Sequence, residues 1–242
     1  MNLKICLFLF LGLFFGNYSI FAQKQKQWNY RKFDEKLIHF GFLLGGNTSD
    51  FQLTPTANMY EKYGLTALET VAIPGGQIGV VTTLKLGTPI LRLRAIPSLS
   101  FQERALKYYY PNADPSIKIE TLNEERVNST NFDMPVMLQI RTLRYNNFAS
   151  YVLGGVQYSY DFQSAENANQ NFTDPFVKIK ANDWQGQVGI GVEFFAVYFK
   201  MGLEIKYSQG WNNTIINDFT PVSYPIDQLR TKVWYFSLIF EG

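Results

Sequence analysis

The sequence predicts an all-β protein, an eight-stranded antiparallel up-and-down barrel of the transmembrane, outer-membrane type. Three observations carry that expectation. Segments of about a dozen residues alternate in hydrophobicity with the period of 2 that marks strands. The connections between them alternate strictly between long and short. One row of nearly every strand is apolar enough for acyl chains, while the opposite row carries nearly balanced charge.

The chain opens with one charge, Lys4, then an apolar run from Ile5 to Phe15, and reaches Ala22 before Gln23. A basic start, an apolar core and a small residue at the cut describe a cleaved secretory signal over residues 1–22. Cleavage there removes Cys6, the sole cysteine. Residues 23–36 then read as a periplasmic N-terminal segment, and 37–242 as the barrel.

The strands follow in order. In Ile38 to Asn47 the apolar row is Ile38, Phe40, Phe42 and Leu44, opposite His39, Gly41, Leu43, Gly45 and Asn47. The next runs are Gln77 to Leu86 and Leu91 to Gln102. The latter sets Leu91, Leu93, Leu99 and Phe101 against Arg92, Arg94, Ser98, Ser100 and Gln102. Phe132, Met134, Val136, Leu138 and Ile140 alternate with Asp133, Gln139 and Arg141. Between Phe148 and Asp161, Val152, Gly154, Val156, Tyr158 and Tyr160 are assigned outward, and Gln157, Ser159 and Asp161 inward. The last three strands place Trp184 to Phe194, Phe199 to Tyr207 and Trp234 to Phe240 outward on alternate positions.

The predicted connections are long at 48–75, 103–130, 162–181 and 208–230, and short at 87–89, 142–147 and 195–197. All long loops therefore fall at one end, with both chain termini at the other, as in outer-membrane barrels with short periplasmic turns. Pro97 and Pro135 each remove a ladder donor and predict a bulge or bend nearby. Trp184 and Trp234 suit an interfacial belt, and Trp28 and Trp211 suit either a belt or ordinary packing. A soluble barrel would be apolar inside and polar outside. Here the charged rows must point inward, because a basic group facing lipid at mid-depth costs ~2–4 kcal/mol.

Composition narrows the function. A net charge of +2 gives no basis for nucleic-acid binding, and one His and one Cys rule out a zinc site built from them. An eight-stranded barrel is filled by its own side chains, which argues against a porin. No cofactor is implied. The inward charges form one predicted lumen network: Lys85, Arg92, Arg94, Asp133, Arg141, Asp161, Asp183, Glu193, Lys200, Glu204 and Lys206. Glu193 and Glu204 could make a paired-carboxylate site, but packed ion networks are the commoner reason for such charges. His39 lacks a serine elbow motif and reads as a structural, interior-facing residue. Gly186, Gly189 and Gly191 read as close-packing glycines, and the sequons at Asn47, Asn128, Asn171 and Asn212 as uninformative in a bacterium. Ahead of the first strand, Trp28, Tyr30, Arg31, Lys32 and Phe33 form either a solvated leader or a periplasmic docking peptide.

The stretch Ile38 to Asn47 with Asp50-Phe51 resembles the opening of PorT-like proteins, also called SprT-like in gliding bacteria. So do Phe132-Asp133-Met134-Pro135-Val136 with Arg141, Tyr151 to Asp161, Gly191-Val192-Glu193-Phe194, and Phe199 to Ser208 with Gly210. Gln139 stands where many of these proteins carry a basic residue. The resemblance covers essentially all of the chain after the signal. It implies an integral outer-membrane barrel of Bacteroidota that is required for type IX protein secretion and gliding motility, with other secretion components and outer-membrane lipid as partners. It implies no catalytic residue and so no enzyme. The alternatives are a membrane-embedded lipid-modifying enzyme, or an adhesin or anchoring barrel acting through its external loops.

Overall fold

The computed structural model describes residues 29–111, 121–168, 176–218 and 220–242. The predicted export signal and Trp28 lie outside them. The strands are β1 (Ile38–Pro55), β2 (Ala67–Lys85), β3 (Leu91–Ala95), β4 (Ser98–Tyr110), β5 (Thr121–Arg141), β6 (Phe148–Asp161), β7 (Lys178–Ile179), β8 (Asn182–Phe195), β9 (Lys200–Gly210), β10 (Ile215–Ile216) and β11 (Ile226–Glu241). A short helix, α1 (Met59–Tyr63), joins β1 to β2. The antiparallel ring runs β1, β2, β3 with β4, β5, β6, β8, β9 and β11, and closes because β11 pairs with β1. Closure satisfies every strand edge within the ring, the condition for crossing a bilayer with strands.

β3 and β4 are two lengths of one stave, so the ring has the eight staves predicted. The break falls at Ile96 and Pro97. The Ile96 N–H donates to the Pro135 carbonyl at 3.2 Å and the Val80 N–H to the Pro97 carbonyl at 2.9 Å, and neither proline has an N–H to return. Register on both neighbours is nonetheless unchanged across the gap, Ala95 facing Val136 and Ser98 facing Asp133. The register shift lies elsewhere, between Ala72 and Gly76 of β2, around Pro74. The expected irregularity at the prolines is thus an interruption at Pro97, while the ladder of β5 with β6 passes Pro135 unbroken.

Several strands outrun their predicted ends. The stretches 48–75 and 103–130, expected as loops, are largely the upper halves of β1, β2, β4 and β5. Alternation continues there with its chemistry exchanged. Phe51, Leu106, Tyr108, Val127 and Leu229 are buried, while Gln52, Arg126 and Asn128 are exposed. The outside of the wall changes from lipid to water at this height, and the inside changes to an apolar cap. In that cap Phe51, Leu65, Leu106, Tyr108, Val127, Val177, Ile179, Ile215, Val222, Ile226 and Leu229 form one core. The paired short strands β7 and β10 contribute to it from the other two long connections.

Below the cap the outward rows are almost entirely apolar, interrupted by Thr82 on β2 and Ser150 on β6. On the third stave they run from Leu91 to Phe101, roughly 33 Å of strand at ~3.3 Å per residue. At a tilt of ~40° this spans about 25 Å, the height of an outer-membrane apolar band. Aromatic girdles bound it. Tyr158 packs on Trp184 and Tyr207 on Trp234 at the long-loop end; Phe42 stacks on Phe240 and Phe148 meets Phe194 at the other. The short turns behave as predicted, with Gly87 taking a φ of 72° that favours glycine in the first of them.

Candidate functional site: a plugged, charged lumen

Period-2 geometry sends every second side chain inward, so the charges of neighbouring staves meet in the lumen. Toward the short-turn end they form one ionic cluster. Arg94 Nη1 lies 2.8 Å from Glu204 Oε2, and its Nη2 lies 3.6 Å from Glu241 Oε2. Lys206 reaches Glu204 at 3.0 Å, and Lys200 bridges Glu193 at 2.8 Å and Glu241. Arg141 Nη1 pairs with Glu193 at 3.2 Å, and Gln139 Nε2 donates to the same carboxylate at 3.0 Å. The Tyr151 hydroxyl donates to Glu204 at 2.8 Å. Each of these carboxylates and cations is nearly or fully buried.

The leader completes the cluster. A 3-10 turn, Arg31–Asp34, folds into the barrel mouth. Asp34 Oδ1 accepts from Arg92 Nη2 at 2.9 Å and Arg141 Nη2 at 2.8 Å, and the Asp34 carbonyl accepts from Lys85 Nζ at 2.9 Å. Phe33 is fully buried, stacked on His39 with ring centroids 3.8 Å apart and set edge-on to Phe195. Arg92 and Lys200 lie over its ring at 5.1 and 4.7 Å, within cation–π range. Upstream, Asn29 donates from its backbone N–H to Asn147 and from its side chain to the Phe195 carbonyl, and accepts from Arg144. The segment is therefore a plug, and Phe33 faces the lumen rather than an outside partner. Tyr30 is half-buried against Phe33, at 5.4 Å between rings.

Phe33→Ala should cost about 3 kcal/mol, the low end for a buried Phe truncation, and free the plug. Limited trypsin cleavage after Arg31 and Lys32 in the folded barrel reads this out; unchanged resistance would mean that the plug is held by other contacts.

The other predicted lumen charges stand apart. Asp133, Asp161 and Asp183 lie nearer the cap, and among the described residues none has a cationic side chain within ion-pair distance. Asp133 accepts from Ser100 and Ser159, each at 2.6 Å. Asp161 accepts from the backbone N–H groups of Thr130 and Gln163, and Asp183 from Gln185. The predicted network is thus two groups, with Lys85, Arg92, Arg94, Arg141, Glu193, Lys200, Glu204 and Lys206 in the lower one. His39 faces inward, buried, and neither ring nitrogen is hydrogen-bonded to a described residue.

Three members escaped the sequence reading. Arg104 and Glu241 continue the inward parity of their staves by one step, a signal that was there to extend. Asp34 belongs to no strand and carries no periodic signal.

The outer membrane protein beta-barrel domain family matches residues 21–215 of this chain. No curated protein sequence matches it. Among solved structures it is similar to the outer membrane protein OprG from Pseudomonas aeruginosa, at 12% identity and a TM-score of 0.43, over 85% of this chain and 94% of that one. It is also similar to Neisserial surface protein A (NspA), at 7% identity and a TM-score of 0.42, over 83% and 95% of the two chains. With the family match spanning most of its length and its strands closed into a ring of eight staves, the chain belongs to the outer membrane protein beta-barrel domain family and is an integral outer-membrane barrel in contact with lipid.

Proposed function

We propose that this barrel is a non-enzymatic component of a type IX protein secretion system, required in gliding species for motility, which anchors or positions other secretion components. The observation that supports it best is closure at both ends: the Phe33–Asp34 plug fills one mouth, and the apolar cap of β1, β4, β5 and β11 fills the other. A barrel shut in this way suits a scaffold rather than a conduit. The PorT-like motifs along β1, β5, β6, β8 and β9 supply the link to secretion. Deleting the gene in its host and following export of proteins with type IX sorting domains tests the reading. Loss of export is expected, and unchanged export would defeat it.

In this reading the short turns, the plug and both termini face the periplasm, and the projecting strands face outward. The chain beyond Cys6 has no cysteine, so single introduced cysteines report orientation directly. Lys62→Cys, in the last turn of α1, should react with an impermeant maleimide on intact cells, and Thr142→Cys only after the outer membrane is opened. The reverse pattern would invert the topology. The projecting strands also leave room for an adhesin or anchoring role. Replacing the parts of β4 and β5 above the girdle with a short turn separates the two, since an adhesin would lose attachment with export intact.

A further inference from the structure

The leader does not use all the donors it meets. Arg92 and Arg141 reach Asp34 through one nitrogen each, Nη2, at 2.9 and 2.8 Å, and both end on the same oxygen, Oδ1. Arg92 is fully buried and Arg141 nearly so. Yet among the described residues Nε of each has no hydrogen-bond partner, and Nη1 of Arg92 has none either. Nε and Nη2 are the two donors of one guanidinium edge, the fork that grips a pair of anion oxygens. Two such forks meet at Asp34, and each is half used.

Negative charge is short there as well. With Asp34 docked, the lower cluster still holds more cations than carboxylates, and without it only Glu193, Glu204 and Glu241 would face them. Of these, Glu193 touches the arginine pair, through Arg141 Nη1 at 3.2 Å. Lys85 is a third cation at the site, its Nζ donating to the Asp34 carbonyl at 2.9 Å. The Asp34 side chain is 22% exposed, so the position opens to solvent while the arginines behind it do not. Further in, Leu43, Val81, Ile96, Met137, Tyr151 and Leu153 pack together across the lumen. The mouth is therefore a pocket with a floor, and withdrawing the leader would expose a cationic recess rather than open a channel.

We propose that this recess is a phosphate-binding site, with Arg92, Arg141 and Lys85 as its donors, and that Asp34 occupies it as an internal substitute. A carboxylate entering by one oxygen satisfies one donor of each fork. A phosphate group has oxygens enough to fill both forks and still accept from Lys85. Its charge of about −2 at neutral pH also offsets more of the cation excess than one carboxylate does. Paired arginine forks suit such a group better than point charges do. Because phosphate and Asp34 compete for the same Nη2 atoms, binding expels Asp34 and loosens the leader, so that the plug reports whether the site is filled. The same chemistry is offered by dissolved phosphate and by a lipid headgroup at this end of the barrel.

The test uses the full barrel, folded in detergent and freed of phosphate. In the wild type, inorganic phosphate should speed trypsin cleavage after Arg31 and Lys32, and sodium chloride of equal ionic strength should not. The tethered carboxylate competes at an effective concentration of the order of millimolar, so the titration runs to about 50 mM phosphate. Asp34→Asn removes the competing charge and keeps its shape. Calorimetry on that variant should find one phosphate site per chain, at least about tenfold tighter than in the wild type, the worth of one hydrogen bond to a charged group. Adding Arg92→Lys to Asp34→Asn keeps the positive charge, removes the fork, and should weaken phosphate by a similar factor. Should that barrel fail to fold, Lys85→Gln takes its place, with a smaller loss. Detergent micelles carrying phosphatidic acid, set against dissolved phosphate, show by the tighter binding which source the site takes. Absence of heat in Asp34→Asn with both probes, together with unchanged cleavage of the wild type, overturns the site. So does an equal effect of chloride, or binding undiminished by both Arg92→Lys and Lys85→Gln, either of which would reduce the effect to general screening of the lower cluster.

Discussion

Glu193→Ala should destabilise the barrel by about 3–5 kcal/mol, the range for removing one partner from a buried ionic group. Glu193 is fully buried, and its two oxygens serve Lys200, Arg141 and Gln139 at 2.8, 3.2 and 3.0 Å, with Arg94 at 3.8 Å. The lower cluster holds Lys85, Arg92, Arg94, Arg141, Lys200 and Lys206 against Asp34, Glu193, Glu204 and Glu241, so cations are already in excess. Losing Glu193 leaves Arg141 dependent on Asp34, and Lys200 on Glu241. Urea unfolding of the refolded protein, followed by tryptophan emission and by the gel shift between heated and unheated samples, measures the cost. Glu193→Gln keeps the shape and one acceptor and should cost less. The double change Glu193→Leu with Lys200→Met should recover part of the loss, because it removes charge in matched amounts. A cost for Glu193→Ala below about 1 kcal/mol would mean that water screens the cluster as it does surface pairs.

This cluster also marks how far the sequence could be read. Alternation along β3, β8 and β9 placed Arg92, Arg94, Glu193, Lys200, Glu204 and Lys206 in the lumen, because only a period of 2 puts charge on one face and Leu, Ile and Phe on the other. Read by chemistry rather than by parity, the pattern ends where the chemistry inverts. In β1 the inward positions pass from Asn47 and Ser49 to Phe51, and the outward ones from Leu44 to Asp50 and Gln52. Parity is unbroken through that change; what alters is the medium outside the wall. The same inversion hid the upper parts of β4 and β5, and with them Arg104. The plug was illegible for a different reason. Asp34 and Phe33 owe their places to contacts with Arg141, Phe195 and Lys200, which are remote in the chain. No local periodicity encodes such contacts, and the aromatic–basic run around them reads as a solvated leader or a docking peptide.

Lumen glycines give the second large effect. Gly191→Val should cost as much as losing an ion pair, although it removes no polar contact of its own. A Cβ at Gly191 would sit 2.3–2.7 Å from the Tyr151 ring, closer than atoms can approach. Tyr151 lies across the lumen above that glycine, donates to Glu204 at 2.8 Å, and carries the Arg94 guanidinium over its ring at 5.2 Å. Moving it therefore combines about 1–3 kcal/mol of overpacking with a similar sum for a buried hydroxyl and carboxylate that lose each other. Two comparisons isolate the cause. Gly154→Ala faces outward with open space around its Cβ and should be neutral or slightly stabilising. Gly191→Ala placed in a Tyr151→Leu background, where the ring is gone, should cost under about 1 kcal/mol beyond that background, as expected when the coupled partner is absent. If Gly191→Ala costs as much without the ring as with it, the clash is with the wall and not with Tyr151, and the side chain that crosses the lumen is not what requires a glycine there.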